Sequence, residues 1–341
     1  MAAADDTAIA ANSQKHNGPR IGVVVIGRNE GDRLRRCLVS LEDSVCSIVY
    51  VDSGSTDDSV ALARGRSVDV VVLDMRLPFT AARARNAGFD RLRTIAPVLQ
   101  YVQFVDGDCE VNSEWLSVAS RFLDSHPEVV VVAGRLRERH PEASVYNMLC
   151  DMEWDAPAGE SKTCGGIAMM RVVAFDAVKG FNAELICGEE PELCSRLRAQ
   201  GGQVWRLTNE MALHDANMLQ FGQWWTRSVR AGYSFAQAVF VDAASSNGRG
   251  RNESRSALLW AFVIPILSVG VISVFGVWGA TILLVYPLQF LRIASRGKRI
   301  FKENCVRAFF LILGKFPELQ GQIKYRLERL TGRKSRLIEH K

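Results

Sequence analysis

An α/β domain on a mostly parallel, Rossmann-like central sheet, followed by a C-terminal transmembrane helical hairpin, is the fold the sequence predicts. Three observations carry that expectation. From Ile21 onward, short β-branched apolar runs alternate with amphipathic helical segments. Two of those runs end in carboxylates, Asp52 and Asp106. Late in the 341-residue chain, 36 consecutive residues (256–291) carry no charge. Strand, helix, strand at this spacing makes right-handed βαβ units, and ligands of such sheets gather at the carboxyl ends of the strands.

Residues 1–19 lack an apolar stretch of signal-peptide length and are expected to be a disordered leader. IGVVVIG (21–27) is a continuous β-branched run bounded by Gly, as a buried parallel strand requires. Leu34, Cys37, Leu38 and Leu41 then recur at helical spacing. SIVYVDS (47–53) predicts a second strand, and Asp57-Asp58 open a helix carrying Val60, Ala61 and Ala63. VDVVVLD (68–74) predicts a third strand, the Ala/Arg-rich stretch 81–93 a third helix, and YVQFVDGD (101–108) a fourth strand. VWRL (204–207) is a further strand-like run.

As one straight helix the uncharged run would be about 54 Å long at 1.5 Å per residue, against a hydrocarbon core of about 30 Å. Two spans of about 17–18 residues fit instead, with a turn at Gly276-Val277-Trp278-Gly279. Arg249, Arg251 and Arg255 precede the run; Arg292, Arg296, Lys298 and Arg299 follow it. Basic residues at both ends place both flanks in the cytoplasm and require an even number of crossings. The competing reading is a buried pair of core helices. From residue 292 to 341 there are fourteen Lys/Arg and four Glu, which suits anionic lipid or nucleic acid. Because that tail directly follows an apolar hairpin, membrane lipids are the expected partner and nucleic acid is not. Phe309, Phe310, Ile312, Leu313 and Phe316 among the basic residues predict an interfacial helix.

The composition narrows the class further. Hydrophobic residues at 48% and charged residues at 23% exclude collagen-like, low-complexity and disordered chains. The eight cysteines form no CxxC pair and no His-linked zinc spacing, so reduced thiols in a cytosolic compartment are expected rather than a secreted disulfide scaffold. No G-x-G-x-x-G follows the first strand, which argues against a dinucleotide oxidoreductase.

Four constellations could carry chemistry. Asp106-Gly107-Asp108 closes a strand with two carboxylates beside a residue that lets the backbone approach closely, which suits a hard divalent cation bridging phosphate oxygens. Gly188-Glu189-Glu190-Pro191-Glu192-Leu193 reads either as an ordinary acidic helix N-terminus or as a carboxylate facing a pocket as general base. His214-Asp215 follows VWRL, as a structural histidine or a ligand. Gln223-Trp224-Trp225-Thr226-Arg227-Ser228-Val229-Arg230 offers rings and guanidinium groups for a sugar and its diphosphate, or else an aromatic belt at a membrane surface.

In combination these segments resemble the family 2 glycosyltransferases with a GT-A fold. VVVIGRNEGDRLRRCLVSL and VYVDSGSTDDS are similar to that family's opening strand, helix, strand and D-x-G-S-T-D turn. PFTAARARNAG resembles the segment before the metal strand, VDGD resembles the D-x-D, and the stretch from CGGIAMMR to GEEPELCSRLRAQG resembles the acceptor loop, G-G-F turn and E-D motif. These blocks lie in the family's order over about residues 20–215. The resemblance implies a nucleotide-diphospho-sugar transferase domain over 20–245, a hairpin over 256–292 and a basic amphipathic cytoplasmic tail over 293–341, in a membrane-anchored protein of bacterial polysaccharide type.

Carried over by position, the resemblance gives Asp52 a contact to the nucleotide base, with Arg28, Asn29 and Glu30 of the opening motif also on the donor. It brings Arg85 to the base or diphosphate, Asp106 to ribose or metal, and Asp108 to Mg²⁺ or Mn²⁺, with His214 completing the metal shell. Trp224, Arg227 and Arg230 are the expected sugar and diphosphate contacts. Glu190 stands where the family's catalytic base is usually Asp, with Glu189 as the alternative. Ser53 replaces an acid often found after Asp52, and Ile167 replaces a common polar residue after Gly165-Gly166. The implied reaction is inverting transfer from a nucleotide-diphosphate sugar to a lipid-linked saccharide on the cytoplasmic face of the inner (plasma) membrane. Polyprenyl phosphate as acceptor, or a non-catalytic transferase-like scaffold of a polysaccharide-assembly complex, are the alternatives.

Overall fold

The computed structural model describes residues 21–42, 47–241 and 249–332. The expected leader (1–19) and the last part of the basic tail lie outside them. Nine strands form one sheet: β1 (Ile21–Gly27), β2 (Ser47–Asp52), β3 (Asp69–Val72), β4 (Tyr101–Asp106), β5 (Cys109–Val111), β6 (Val129–Glu138), β7 (Gly159–Glu160), β8 (Ala168–Arg171) and β9 (Gln203–His214). The order is β3-β2-β1-β4-β8-β6-β9-β5, with β7 paired to β9. The first four strands are parallel, β8 runs antiparallel between β4 and β6, and β6 and β9 are parallel again.

β1 is central because Val23, Val24 and Val25 are fully buried, and β-branched residues fit a pleated surface covered on both faces. The connecting helices α1 (Asp32–Val39), α2 (Ser59–Gly65) and α3 (Ala81–Ile95) follow the order the apolar spacing predicts. At its start α3 is capped by Thr80, whose hydroxyl accepts from the Arg83 amide at 3.0 Å. Gly88 of α3 crosses the sheet so closely that a Cβ there would sit 2.4 to 2.7 Å from Val24 and Val51. α4 (Trp115–Ser125), α5 (Val145–Trp154), α6 (Val172–Ala177) and α7 (Glu189–Ala199) complete the domain.

Four strands differ from the sequence expectation: β2 and β4 end one and two residues early, at Asp52 and Asp106, and two others change further. The third strand shrinks from 68–74 to Asp69–Val72, since it is the sheet edge and Val72 faces outward. VWRL extends to Gln203–His214, because β6 pairs along it past the polar Thr208-Asn209-Glu210, with irregularities in register.

α8 (Phe221–Val241) leaves the sheet and α9 (Arg249–Leu258) leads into the uncharged run. There a π-helical turn (Leu259–Val263), α10 (Ile264–Phe275), a 3₁₀ segment (Gly276–Leu284) and α11 (Val285–Ser295) follow. At Gly276 φ is 61°, a left-handed conformation that reverses the chain where the Gly-Val-Trp-Gly sequence predicts it. The second arm returns along the first. Tyr286 donates its hydroxyl to the Trp260 carbonyl at 2.5 Å, and the two rings lie 5.6 Å apart. Gly279 abuts the Val271 carbonyl with no room for a side chain. Val269, Val274, Phe275, Val277 and Trp278 are exposed, so the hairpin is not a pair of core helices. Among the described residues, Gly250–Ser295 is the one helical stretch long and apolar enough to cross a membrane.

The basic tail is not a separate surface layer. α12 (Phe301–Leu313) and α13 (Lys315–Thr331) fold back on the sheet domain. Phe310 packs edge-on to Trp224 at 4.9 Å, and Trp225 Nε1 donates to Gln320 at 2.9 Å. Gly232 and Gly321 allow α8 and α13 to cross in backbone contact, where any side chain would overlap Glu318 or Val229. Arg299, just past the hairpin, ties to Asp151 of α5 at 2.8 Å. Phe309, Leu311 and Phe316 remain exposed, which leaves an apolar face on the same helices.

Candidate active site

β4 ends at Asp106, and the chain turns within three residues into β5. The Gly107 amide donates to the Ile26 carbonyl at 2.8 Å, and a Cβ there would press on that carbonyl and on Glu30. This turn sends Asp106 and Asp108 in different directions. Asp108 is buried on the β5 side. Antiparallel pairing of β5 with β9 sets Cys109 opposite His214, and the Asp215 amide donates to the Asp108 carbonyl at 3.0 Å. His214 Nε2 lies 3.2 Å from Asp108 Oδ1. One ligand atom each from Asp108, Cys109 and His214 fall within 4.8 Å of one another. The Trp154 ring stands edge-on to the His214 imidazole at 4.6 Å and fixes its orientation.

Asp106 lies outside the group formed by Asp108, Cys109 and His214. Its Oδ1 accepts from Arg85 Nη2 at 2.9 Å. The other arm of Arg85 donates to Glu189 Oε1 at 2.7 Å. Burial alone would lower the Arg85 pKa, yet Asp106 and Glu189 outweigh it and raise it. The guanidinium is therefore a bridge between two carboxylates. Gly166 lets the loop after Cys164 lie against this pair, since a Cβ would sit 3.0 Å from Asp106 Oδ2. Arg85→Ala would leave Glu189 buried beside Asp106 with no cation. We expect a loss of about 3–5 kcal/mol in stability, read from urea unfolding.

α7 opens on Gly188 with φ 80°, followed by Glu189, Glu190 and Pro191 in the first turn. Ser234 of α8 fills the space where a Gly188 side chain would go. Cys187 Sγ donates to the Arg230 carbonyl at 3.4 Å, so α8 braces the loop from behind. Glu189 is committed to Arg85, while Glu190 has no ion pair among the described residues. Burial first, and then the Glu189 charge, push the Glu190 carboxyl up to about 7. Of the two candidates, Glu190 is the carboxylate poised to exchange a proton near neutral pH.

On the donor side, Asp52 is buried and its oxygens are occupied locally. Oδ2 accepts from the Gly54 and Ser55 amides at 3.0 Å, and Oδ1 from the Tyr50 hydroxyl at 3.2 Å. Asp52 thus shapes the D-S-G-S-T turn. Asn29, at φ 56°, ties the opening loop to the same turn by accepting from the Thr56 amide at 2.8 Å. Glu30 is buried and pairs with Arg33 at 2.8 Å, whereas Arg28 is exposed at the strand end.

The α8 expectations divide. Trp224 is buried against Phe221, Trp225 and Phe310, so it offers no free face to a sugar. Arg227 forms a two-pronged pair with Glu153 of α5 at 2.7 and 3.0 Å. Arg230 stands beside Cys187, at the base of the loop that precedes α7. Sequence reasoning missed Cys109, Trp154 and the double engagement of Arg85. Only Cys109 had a local signal, its position directly after the D-x-D.

A mixed sheet with two carboxylates and a histidine at its strand ends, beside a buried Glu189 and a half-buried Glu190, defines a GT-A-type transferase fold. The comparisons agree. Residues 22–162 match the family described as Glycosyl transferase family 2. Residues 148–220 match the family described as N-terminal domain of galactosyltransferase. The glycosyltransferase SunS of Bacillus subtilis (strain 168), SPbeta prophage-derived, is 28% identical over 100 residues. That alignment covers 29% of this chain and 22% of SunS, so the chain spans about a fifth of the curated relative. Among solved structures, mannosyltransferase PcManGT from Pyrobaculum calidifontis, in complex with GDP-Man and Mn²⁺, superposes with a TM-score of 0.55 at 15% identity, over 92% of this chain and 88% of that one. S. aureus TarS 1–349 gives 0.51 at 15% identity, over 90% and 91%.

Proposed function

We propose that this chain is an inverting, metal-dependent glycosyltransferase that moves a sugar from a nucleotide-diphosphate donor to a lipid-linked saccharide at the cytoplasmic face of the plasma membrane. One observation carries the reading. Of two adjacent glutamates at the carboxyl edge of the sheet, Glu189 is neutralised by Arg85 and Glu190 is left with a pKa of about 7. The solved PcManGT complex, with its GDP-Man and Mn²⁺, supports donor and metal of this class.

The donor set fits a divalent cation: a buried carboxylate and an imidazole already 3.2 Å apart, with Asp108 and His214 as the residues that would hold an ion such as Mn²⁺. Bound there, the ion would supply charge stabilisation for the departing diphosphate. Glu190 takes the acceptor hydroxyl proton on its carboxylate as that oxygen attacks the anomeric carbon from behind, which inverts configuration. Arg85 holds Glu189 in place, and it orients Asp106 toward the donor sugar. The decisive experiment is a screen of detergent-solubilised protein against nucleotide sugars with Mn²⁺, reading thermal shift and nucleotide release. Donor binding with no turnover on any lipid-linked acceptor would favour the scaffold role and end the catalytic one.

The hairpin supports the membrane part of the reading. Insertion of that much apolar surface is effectively irreversible, whereas a bond through the basic tail alone is screened by salt. We expect 1 M salt to leave the protein in the membrane fraction and detergent to release it. In intact cells a cysteine placed near Lys341 should resist an impermeant maleimide, because both ends of a hairpin face the cytoplasm. Labelling from outside would require a single crossing.

A further inference from the structure

Cys109 follows the D-x-D directly and has no part in the reading above, yet it lies where a metal ligand would. Its partner across the antiparallel β5–β9 pair is His214, so the two side chains share one face. Cys109 Sγ is 3.7 Å from Asp108 Oδ1, which is itself 3.2 Å from His214 Nε2. A tetrahedral ion with arms of about 2.0–2.1 Å to O and N and about 2.3 Å to S has edges of about 3.3–3.6 Å. The two donor spacings bracket that range. We propose that Cys109 is a third protein donor at this site, and that the Asp108–Cys109–His214 set takes a borderline divalent ion of the Zn²⁺ or Co²⁺ class in preference to Mg²⁺.

The chemistry of the set supports this. Mg²⁺ demands octahedral oxygen ligands and sheds water reluctantly, so a buried thiol and an imidazole serve it poorly. Thiolate and imidazole donors suit Zn²⁺ and Co²⁺, and three protein donors leave a fourth position for an oxygen of the donor diphosphate. As the Sγ–metal bond forms, the thiol proton is released to solvent. No electron transfer is involved. Trp154, packed edge-on against His214, holds the imidazole where the thiol can share its ion.

This inference rests on the reading that Asp108 and His214 hold the ion, and the test separates the two. Purified full-length protein, stripped with chelator, is titrated with Co²⁺ while its absorption spectrum is recorded. A sulfur-to-cobalt charge-transfer band saturating at one equivalent is expected. Cys109→Ser should remove the band and weaken Co²⁺ binding by at least about tenfold in calorimetry, with Mg²⁺ affinity unchanged within about twofold. Cys109→Ala, which keeps the apolar packing, repeats the comparison if the serine variant is unstable. Co²⁺ binding without the band in the wild-type protein, or a band that survives loss of Cys109, overturns the proposal. If Mn²⁺ binds in an Asp108-dependent way and Co²⁺ shows no band, Cys109 alone is excluded. If no divalent ion binds at all, the metal reading itself fails.

Discussion

Asp108→Ala is expected to abolish metal-dependent donor binding and, with it, transfer. Asp108 is buried in the turn between β4 and β5, 3.2 Å from His214, and no other described carboxylate joins its ligand group. Loss of the carboxylate leaves the imidazole and the thiol without the one anionic oxygen that a divalent ion requires. Charge stabilisation by such an ion contributes several kcal/mol, so a drop in kcat of at least about 10³ is the expected size. The fold should survive, because Asp108 contributes its backbone carbonyl rather than its side chain to the Asp215 tie. Calorimetric titration of donor with and without Mn²⁺ decides the matter. Unchanged donor affinity in the variant would remove Asp108 from the metal site.

Glu190→Gln is expected to keep donor affinity and lower kcat by at least about 10², the usual contribution of a general base. The pH dependence gives an independent check. A base works only when ionised, and the Glu190 carboxyl is lifted to about 7 by burial and by Glu189. The wild-type rate should therefore climb as pH rises through about 7 and level off above it. In Glu190→Gln that limb should vanish, leaving a low rate with no rise across the same range. Glu189→Gln provides the contrast. It strips Arg85 of one partner but leaves the Glu190 carboxylate, so a smaller loss is expected and the pH limb should persist. Normal turnover in Glu190→Gln together with an inactive Glu189→Gln would move the assignment by one residue.

The sequence by itself determined the elements whose signal is local. The β-branched run 21–27 became the buried central strand at its expected bounds, since a stretch that apolar must be covered on both faces. The 36-residue uncharged run, with glycine near its middle, became a hairpin, because a backbone able to adopt φ 61° stands where the length demands a reversal. The acidic turn at 106–108 and the GEEPEL segment were equally legible, being short motifs at element ends.

Only the tertiary structure decided which of those polar groups face one another. Arg85 and Glu189 are 104 residues apart in sequence and 2.7 Å apart in space, and that contact pairs one of the two adjacent glutamates and not the other. The same holds for Trp224 and Arg227. Their composition suits a sugar, yet α12 and α5 cover them. Asp52, Asp106 and Asp108 look alike as strand-end carboxylates. One closes its own turn, one meets Arg85 and one meets His214. A side chain's type sets what it can bind, but its role goes to whichever partner desolvation brings within hydrogen-bond reach, and that depends on strand pairing and helix packing across the whole chain.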